Sequence, residues 1–133
     1  TPPFSERVAR LKGALRSQVV KVNDFLVALS EIGSFEASVA RSLLSLGADV
    51  ALVASERGGK CRLSVRLSKG FIERTGLSAS RDITSEVANR IGGKGGGHDA
   101  AGSYVGPCNT SRALREALLV LSSKLAAKAV PLR

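Results

Sequence analysis

The sequence predicts a single α/β domain, a mixed β-sheet of about five strands with a βαβ unit and helices packed against it. Three observations predict it. Two nearly all-apolar runs, residues 25–29 and 50–55, flank a segment of helical periodicity, the order of a parallel crossover. A strictly alternating run follows, from Cys61 to Ser68. The 133 residues are 44% hydrophobic, and a domain of this size buries roughly two-thirds of its unfolded surface.

In chain order, Pro2-Pro3 and then Ser5-Glu6 read as the entry and N-cap of a helix reaching about Arg16. Phe4, Val8, Leu11 and Leu15 recur at helical spacing, as on a packed helix, while Arg7, Arg10, Lys12 and Arg16 occupy other faces. The start at Thr1 and the Pro-Pro entry read as a piece of a longer chain. Residues 1–17 are therefore expected to be a linking helix from an upstream domain, and residues 18–133 the domain proper. Val19–Val22 is a β-branched strand, Asn23-Asp24 a turn, and residues 25–29 a central strand. Ser34 is expected to cap a helix with Glu36 in its first turn, a buried stripe of Ala37, Ala40, Leu43 and Leu44, and Gly47 at its end. Residues 50–55 form the strand parallel to the previous one, and Arg57-Gly58-Gly59-Lys60 a hairpin turn. In the next strand Cys61, Leu63, Val65 and Leu67 face inward and Arg62, Ser64, Arg66 and Ser68 outward. Arg62 and Arg66 then lie about 13 Å apart along one face. Residues 70–80 read as a loop, and Asp82 as the cap of a short helix carrying Ile83, Val87 and Ile91. A last strand from Ala101 to Val105 and a helix capped by Thr110 or Ser111, packing through Leu114, Leu118, Leu121 and Leu125, complete the chain.

Twenty Lys and Arg against eleven Asp and Glu give a net charge of +9, an excess that favours a polyanion such as nucleic acid. Four Phe, one Tyr and no Trp make a broad stacking platform a poor fit, so contacts to phosphate and sugar should outweigh base stacking. No eighteen-residue apolar run and no secretory leader is present, so no membrane partner is expected and the chain reads as cytoplasmic. Cys61 and Cys108 are 47 apart and there is one histidine, a poor set for zinc. Cys61 reads as a core residue.

Gly92-Gly93-Lys94-Gly95-Gly96-Gly97-His98 is the most unusual stretch. Glycine admits positive φ and close approach of a ligand to the backbone. Successive free amides can converge on one anion. Lys94 and His98 place a permanent and a titratable donor at either end of Gly95-Gly96-Gly97. The stretch is not a P-loop, because Lys94 is followed by Gly95. It is not a dinucleotide fingerprint either, because it follows a helix and leads into a strand.

Gly95-Gly96-Gly97-His98 followed by small residues resembles the signature of the DHH-associated domain, the C-terminal half of the DHH phosphoesterase superfamily. That superfamily includes RecJ-like single-strand exonucleases, oligoribonucleases and cyclic dinucleotide phosphodiesterases. The order of elements and the run Ser64-Val65-Arg66-Leu67-Ser68 extend the likeness over most of residues 20–105. It implies that Gly95, Gly96 and Gly97 supply backbone contacts to substrate. His98 would donate to a phosphate and stabilise it, Arg66 would pair with a second phosphate, and Ser68 would assist. Arg62 and Lys94 join these as basic candidates. One departure is visible: Asp99 alone separates His98 from Ala100-Ala101-Gly102, where the family keeps two residues.

In the family, hydrolysis belongs to manganese ions held by Asp and His residues of a separate catalytic domain. Here there is one histidine, and Asp24, Asp49, Asp82 and Asp99 are scattered. The resemblance therefore implies a module that binds single-stranded nucleic acid or short oligonucleotides, with no catalytic residue, metal or cofactor of its own. Manganese is expected in an upstream or separate DHH catalytic domain. Two further readings stand beside it. One is a tRNA-recognition module like the glycine-rich C-terminal domain of alanyl-tRNA synthetases, and the other is a scaffold that kept the fold and lost the ligand.

Overall fold

The computed structural model describes residues 1–107 and 109–132; Cys108 lies outside them. The domain is a seven-stranded mixed sheet with five α-helices packed on it. In chain order the elements are α1 (Phe4–Arg16), β1 (Gln18–Val22), β2 (Phe25–Glu31), α2 (Glu36–Leu46), β3 (Val50–Arg57), β4 (Lys60–Leu67) and α3 (Lys69–Thr75). A π-helical turn (Ala79–Thr84), α4 (Ser85–Ile91), β5 (Lys94–Gly97), β6 (Ala101–Gly106), α5 (Thr110–Leu125) and β7 (Ala129–Pro131) follow. The strands lie in the order β5-β6-β4-β3-β2-β1-β7. Among the described residues only β2 and β3 run parallel, with Val27 opposite Val50 and Ser30 opposite Val53, which is the expected βαβ unit.

The middle strand is β3, whose residues 50–55 are buried on both faces. Each such aliphatic side chain contributes about 1.5–3 kcal/mol by leaving water. Val50, Leu52 and Ala54 join Leu63, Val65, Tyr104, Ile83, Val87, Leu114 and Leu121 in the larger core, under α5, α4 and the π-turn. Ala51 and Val53 point the other way and join Ala28, Val39, Ala40 and Leu43 in a second core under α2 and α1. Cys61 is fully buried, as its place in the alternation requires.

Two strands exceed the expected five. β5 forms from the glycine run read as a loop, and β7 is a three-residue edge strand on β1. Glycine has little strand propensity of its own, so β5 exists through its pairing with β6.

α1 is turned over relative to its sequence pattern. Phe4, Leu11 and Leu15 are 77%, 68% and 87% exposed. The small residues Ala9, Gly13 and Ala14 face the core instead. A Cβ on Gly13 would lie 2.4 Å from Val39 Cγ1, so the helices approach where the side chain is absent. Arg10 Nε donates to Ser38 (2.7 Å) and its Nη2 to Glu6 (3.0 Å), and Ser38 donates to the same carboxylate (2.7 Å). The Ser38 hydroxyl, more than the Arg10 charge, holds the Glu6 carboxyl below the usual range against its partial burial.

Several expected details are corrected. α2 begins after Phe35, which sits in the left-handed region, and Ser34 makes no cap. Its buried face is Ser38, Val39, Ala40 and Leu43, with Ala37 exposed. Residues 70–80 are not a loop: Ser68 caps α3 by accepting from the Phe71 amide (3.1 Å), and Gly76 ends it at φ 71°. Ser78, not Asp82, opens the next turn, and Asp82 accepts from the Ser78 amide at 2.7 Å. Asn109 rather than Thr110 or Ser111 caps α5, accepting from the Arg112 amide at 2.7 Å.

Candidate nucleic-acid interface

The pairing register divides β4, β6 and β5 into two faces. Arg66 lies opposite Ala101, Ser64 opposite Ser103, and Arg62 opposite Val105. Gly96 lies opposite Ser103 and Lys94 opposite Val105. Cross-strand partners share a face, so Arg62, Ser64, Arg66, Ser103, Gly96 and Lys94 stand together. Ala51, opposite Arg66 on β3, is covered by α2. α2 lies over β4 as well as β3, and its cover ends toward Arg62 and β6: Arg62, Ser103 and Lys94 are exposed, and Ser64, Arg66 and Gly96 half-buried. The result is a basic, serine-bearing strip of bare sheet.

The opposite face explains most of the glycines. The π-turn lies directly on β5 and β6, held by Thr84 Oγ1 donating to Gly96 O (3.0 Å). A Cβ on Gly95 would be 2.1 Å from Thr84 O, and one on Gly102 2.8 Å from Ala79 O. Gly97 sits at φ 120° with no room either, its Cβ position 2.4 Å from Ala101 O. These three are packing requirements. Gly96 differs: its φ is outside the left-handed region, and a Cβ there would meet nothing within 4 Å. Within the protein nothing demands a glycine at 96.

His98 follows β5 in the connection to β6. Its amide donates to Ala101 O (2.8 Å) and its carbonyl accepts from Ser80 (3.3 Å), while Asp99 O accepts from Ala79 (2.7 Å) and Ala100 O from Leu67 (3.0 Å). The short connection is thus fastened to both the π-turn and β4, and the side chain of His98 is exposed. It lies beyond the end of β5, in the turn that adjoins the bare face. His98, Ala101 and Arg66 lie at one level of three adjacent backbones, so His98 and Arg66 are roughly 10 Å apart at the backbone.

The glycine run is therefore not an open loop of free amides. As an edge strand paired on one side, β5 commits alternate backbone groups to β6. Ser68 uses its hydroxyl oxygen as the α3 cap. Sequence reasoning missed Arg41, which α2 brings within electrostatic reach of Arg66. Burial, and then the Arg41 charge, depress the Arg66 guanidinium below the ordinary arginine value. Helical periodicity places Arg41 beside the buried Ala40, but only the tertiary structure shows which strand lies beneath. A cleft of about 910 Å³, lined in part by Arg16, Glu31, Glu56 and Arg115, opens away from this strip. Among the described residues no three His, Cys, Asp or Glu side chains gather to hold a metal. No helix among them is long and apolar enough to cross a membrane.

No family model matches the chain. An uncharacterized protein of Methanocaldococcus jannaschii is 34% identical over 110 residues, which cover 81% of this chain and 32% of that protein. The alanine–tRNA ligase of Colwellia psychrerythraea is 28% identical over 130 residues, 91% of this chain and 14% of the ligase. The chain thus spans a third or less of the length of these relatives. Among solved structures, the C-Ala domain of Aquifex aeolicus alanyl-tRNA synthetase superposes with a TM-score of 0.62 at 23% identity, over 83% of this chain and 99% of that one. A DHH-domain structure from a member of a family of ribosomal proteins gives 0.63 at 15% identity, over 93% and 31%. A pGpG-specific phosphodiesterase of Vibrio cholerae gives 0.53 at 15% identity, over 93% and 40%. The chain has a fold common to domains of larger DHH proteins and to the C-Ala domain.

Proposed function

We propose that this chain is the substrate-binding module of a DHH-type phosphoesterase, RecJ-like or oligoribonuclease-like. It grips phosphates of single-stranded nucleic acid or short oligonucleotides on the bare strip of β4, β6 and β5. The observation that carries the reading is Gly96, a glycine with no internal reason to be one, on the sheet face that also carries Arg62, Arg66 and Lys94. A strand glycine of this kind suits close approach of another molecule's backbone. Arg66 offers a planar fork of donors to one phosphate, and His98 donates to another. Arg62 and Lys94 add charge along the strand. In this reading hydrolysis and its manganese belong to another domain, and this chain binds without cutting.

The test is fluorescence anisotropy of short labelled DNA and RNA strands at two salt concentrations. His98→Ala and Arg66→Ala should each weaken binding by about 1–3 kcal/mol, the scale of a lost hydrogen bond to a charged group. Binding that ignores both changes and vanishes with salt would reduce the interaction to net charge.

A second reading has its own support. The likeness to the C-Ala domain takes in 99% of that domain, and the alanine–tRNA ligase matches over 91% of this chain. In that reading the same strip recognises tRNA. Folded tRNA should then outcompete a single strand of equal charge by a wide margin; equal or reverse preference removes it.

A further inference from the structure

The outer face of α1 is an apolar seam turned to solvent. Phe4, Val8, Leu11 and Leu15 follow one another at steps of four, three and four residues, the spacing of the a and d positions of a heptad. Phe4, Leu11 and Leu15 are exposed and Val8 is half-buried. Exposed leucines scattered singly need no explanation, but a row of them along one helix face has the form of a contact surface. The seam is held outward. On the opposite side of α1, Gly13 meets Val39 so closely that no Cβ fits, and Arg10, Ser38 and Glu6 bind one another between α1 and α2. The helix therefore cannot roll to hide its leucines.

The rim of the seam fixes the charge of what fits it. With Phe4 and Leu11 at d and Val8 and Leu15 at a, Arg7 falls at g and Lys12 at e, one on each side. Both are exposed, and neither is in a salt bridge among the described residues. Glu6, the one acid of α1, faces inward to Ser38 and Arg10. A second copy of this chain would set Arg7 and Lys12 against like charges whichever way the two helices ran, and its net charge of +9 adds to the repulsion. An anionic bilayer matches in sign but not in shape. The four seam residues span roughly 60° of the helix circumference, whereas an interfacial helix buries a broad apolar face. A narrow seam between two cations suits one helix with acids along its own seam.

We propose that the outer face of α1 docks an acidic amphipathic helix of a partner protein, packed on Phe4, Val8, Leu11 and Leu15 and aligned by carboxylates against Arg7 and Lys12. The leucines supply the contact, and the two cations select the partner by excluding basic and self pairings. The inference is independent of what the bare strip of β4, β6 and β5 binds.

The experiment titrates the full chain into three labelled three-heptad peptides and reads anisotropy at physiological salt. One peptide has leucine at a and d with glutamate at e and g, the second has lysine at e and g, and the third is a scramble of the first. The glutamate peptide should bind about tenfold more tightly than either of the others. Leu11→Ser with Leu15→Ser should weaken it by about tenfold or more and leave the melting transition in place, since both side chains are exposed. Arg7→Glu with Lys12→Glu should invert the preference toward the lysine peptide, although that variant is still net positive. Equal binding of the glutamate peptide and its scramble, or binding that survives loss of the leucines, would reduce the effect to net charge and overturn the proposal. Absence of saturable binding overturns it as well. Two further outcomes replace the occupant: self-association in sedimentation, or pelleting with phosphatidylserine vesicles, that is lost with the leucines while no peptide binds.

Discussion

The two faces of β4, β6 and β5 share a backbone and differ in nearly everything else. On one, Leu63, Val65 and Tyr104 are buried beneath α4, α5 and the π-turn, and Gly95, Gly97 and Gly102 are squeezed until no Cβ fits. On the other, Arg62, Ser64, Arg66, Ser103, Gly96 and Lys94 stand with no helix over most of them. The same residue type therefore serves two ends within three consecutive positions. Gly95 makes room for the π-turn and Gly97 for the backbone of β6, whereas Gly96 is under neither constraint. A glycine run can carry a fold requirement and a binding requirement at once, because a strand alternates its faces.

The comparison breaks most readily at Gly95. Gly95→Val would drive a side chain into the Thr84 carbonyl, a backbone clash expected to cost about 3 kcal/mol or more, read as a lowered midpoint in urea. A normal midpoint would mean that the packed face is not packed.

Next in size is Asp82, which closes the π-turn on itself and pairs with Lys124 of α5. Burial alone would raise its carboxyl, but hydrogen bonds from Arg81 and the Ser78 amide, with the charges of Arg81 and Lys124, outweigh it and hold the carboxyl low. A depressed folded value means the contribution is complete above the unfolded carboxylate range and is lost as pH falls through the folded one. Asp82→Asn should therefore destabilise by about 1–3 kcal/mol at pH 7, and the gap to wild type should close as the solution is taken below about pH 4. A gap independent of pH would assign the effect to packing.

The smallest effect is expected on the bare face. Arg62→Ala should leave the melting transition unchanged and lower the salt dependence of oligonucleotide binding by about one unit of slope, as for one lost phosphate contact. An unchanged slope would move the nucleic acid away from β4.

Much of the fold was legible because periodicity and turn chemistry agreed. The βαβ unit, the Gly58-Gly59 hairpin and the β4 alternation follow from apolar pattern and glycine placement, and the structure has each of them. The α3 helix was not among them: Ser68 and Gly76 are ordinary cap residues eight apart, but the mixed polarity between them hid the pattern and the segment read as a loop. α1 and β5 could not be read the same way. The face of α1 is decided by the fit of Gly13 against Val39, and β5 by its partner β6; both are facts about other segments. The candidate site divides likewise. Arg62, Arg66 and Lys94 come to one face with Gly96, and His98 to the adjoining turn, while Arg41 arrives only through the way α2 crosses β3 and β4.

The central claim is that position 96 is kept small for a molecule outside this chain. Gly96→Val, followed by urea denaturation and by oligonucleotide anisotropy on the same preparation, tests it most directly. Valine suits an edge strand, and the position has open space, so the account predicts stability within about 1 kcal/mol of wild type or slightly above it. It predicts affinity at least tenfold weaker. A collapsed transition, or a stable protein that binds as before, would contradict it.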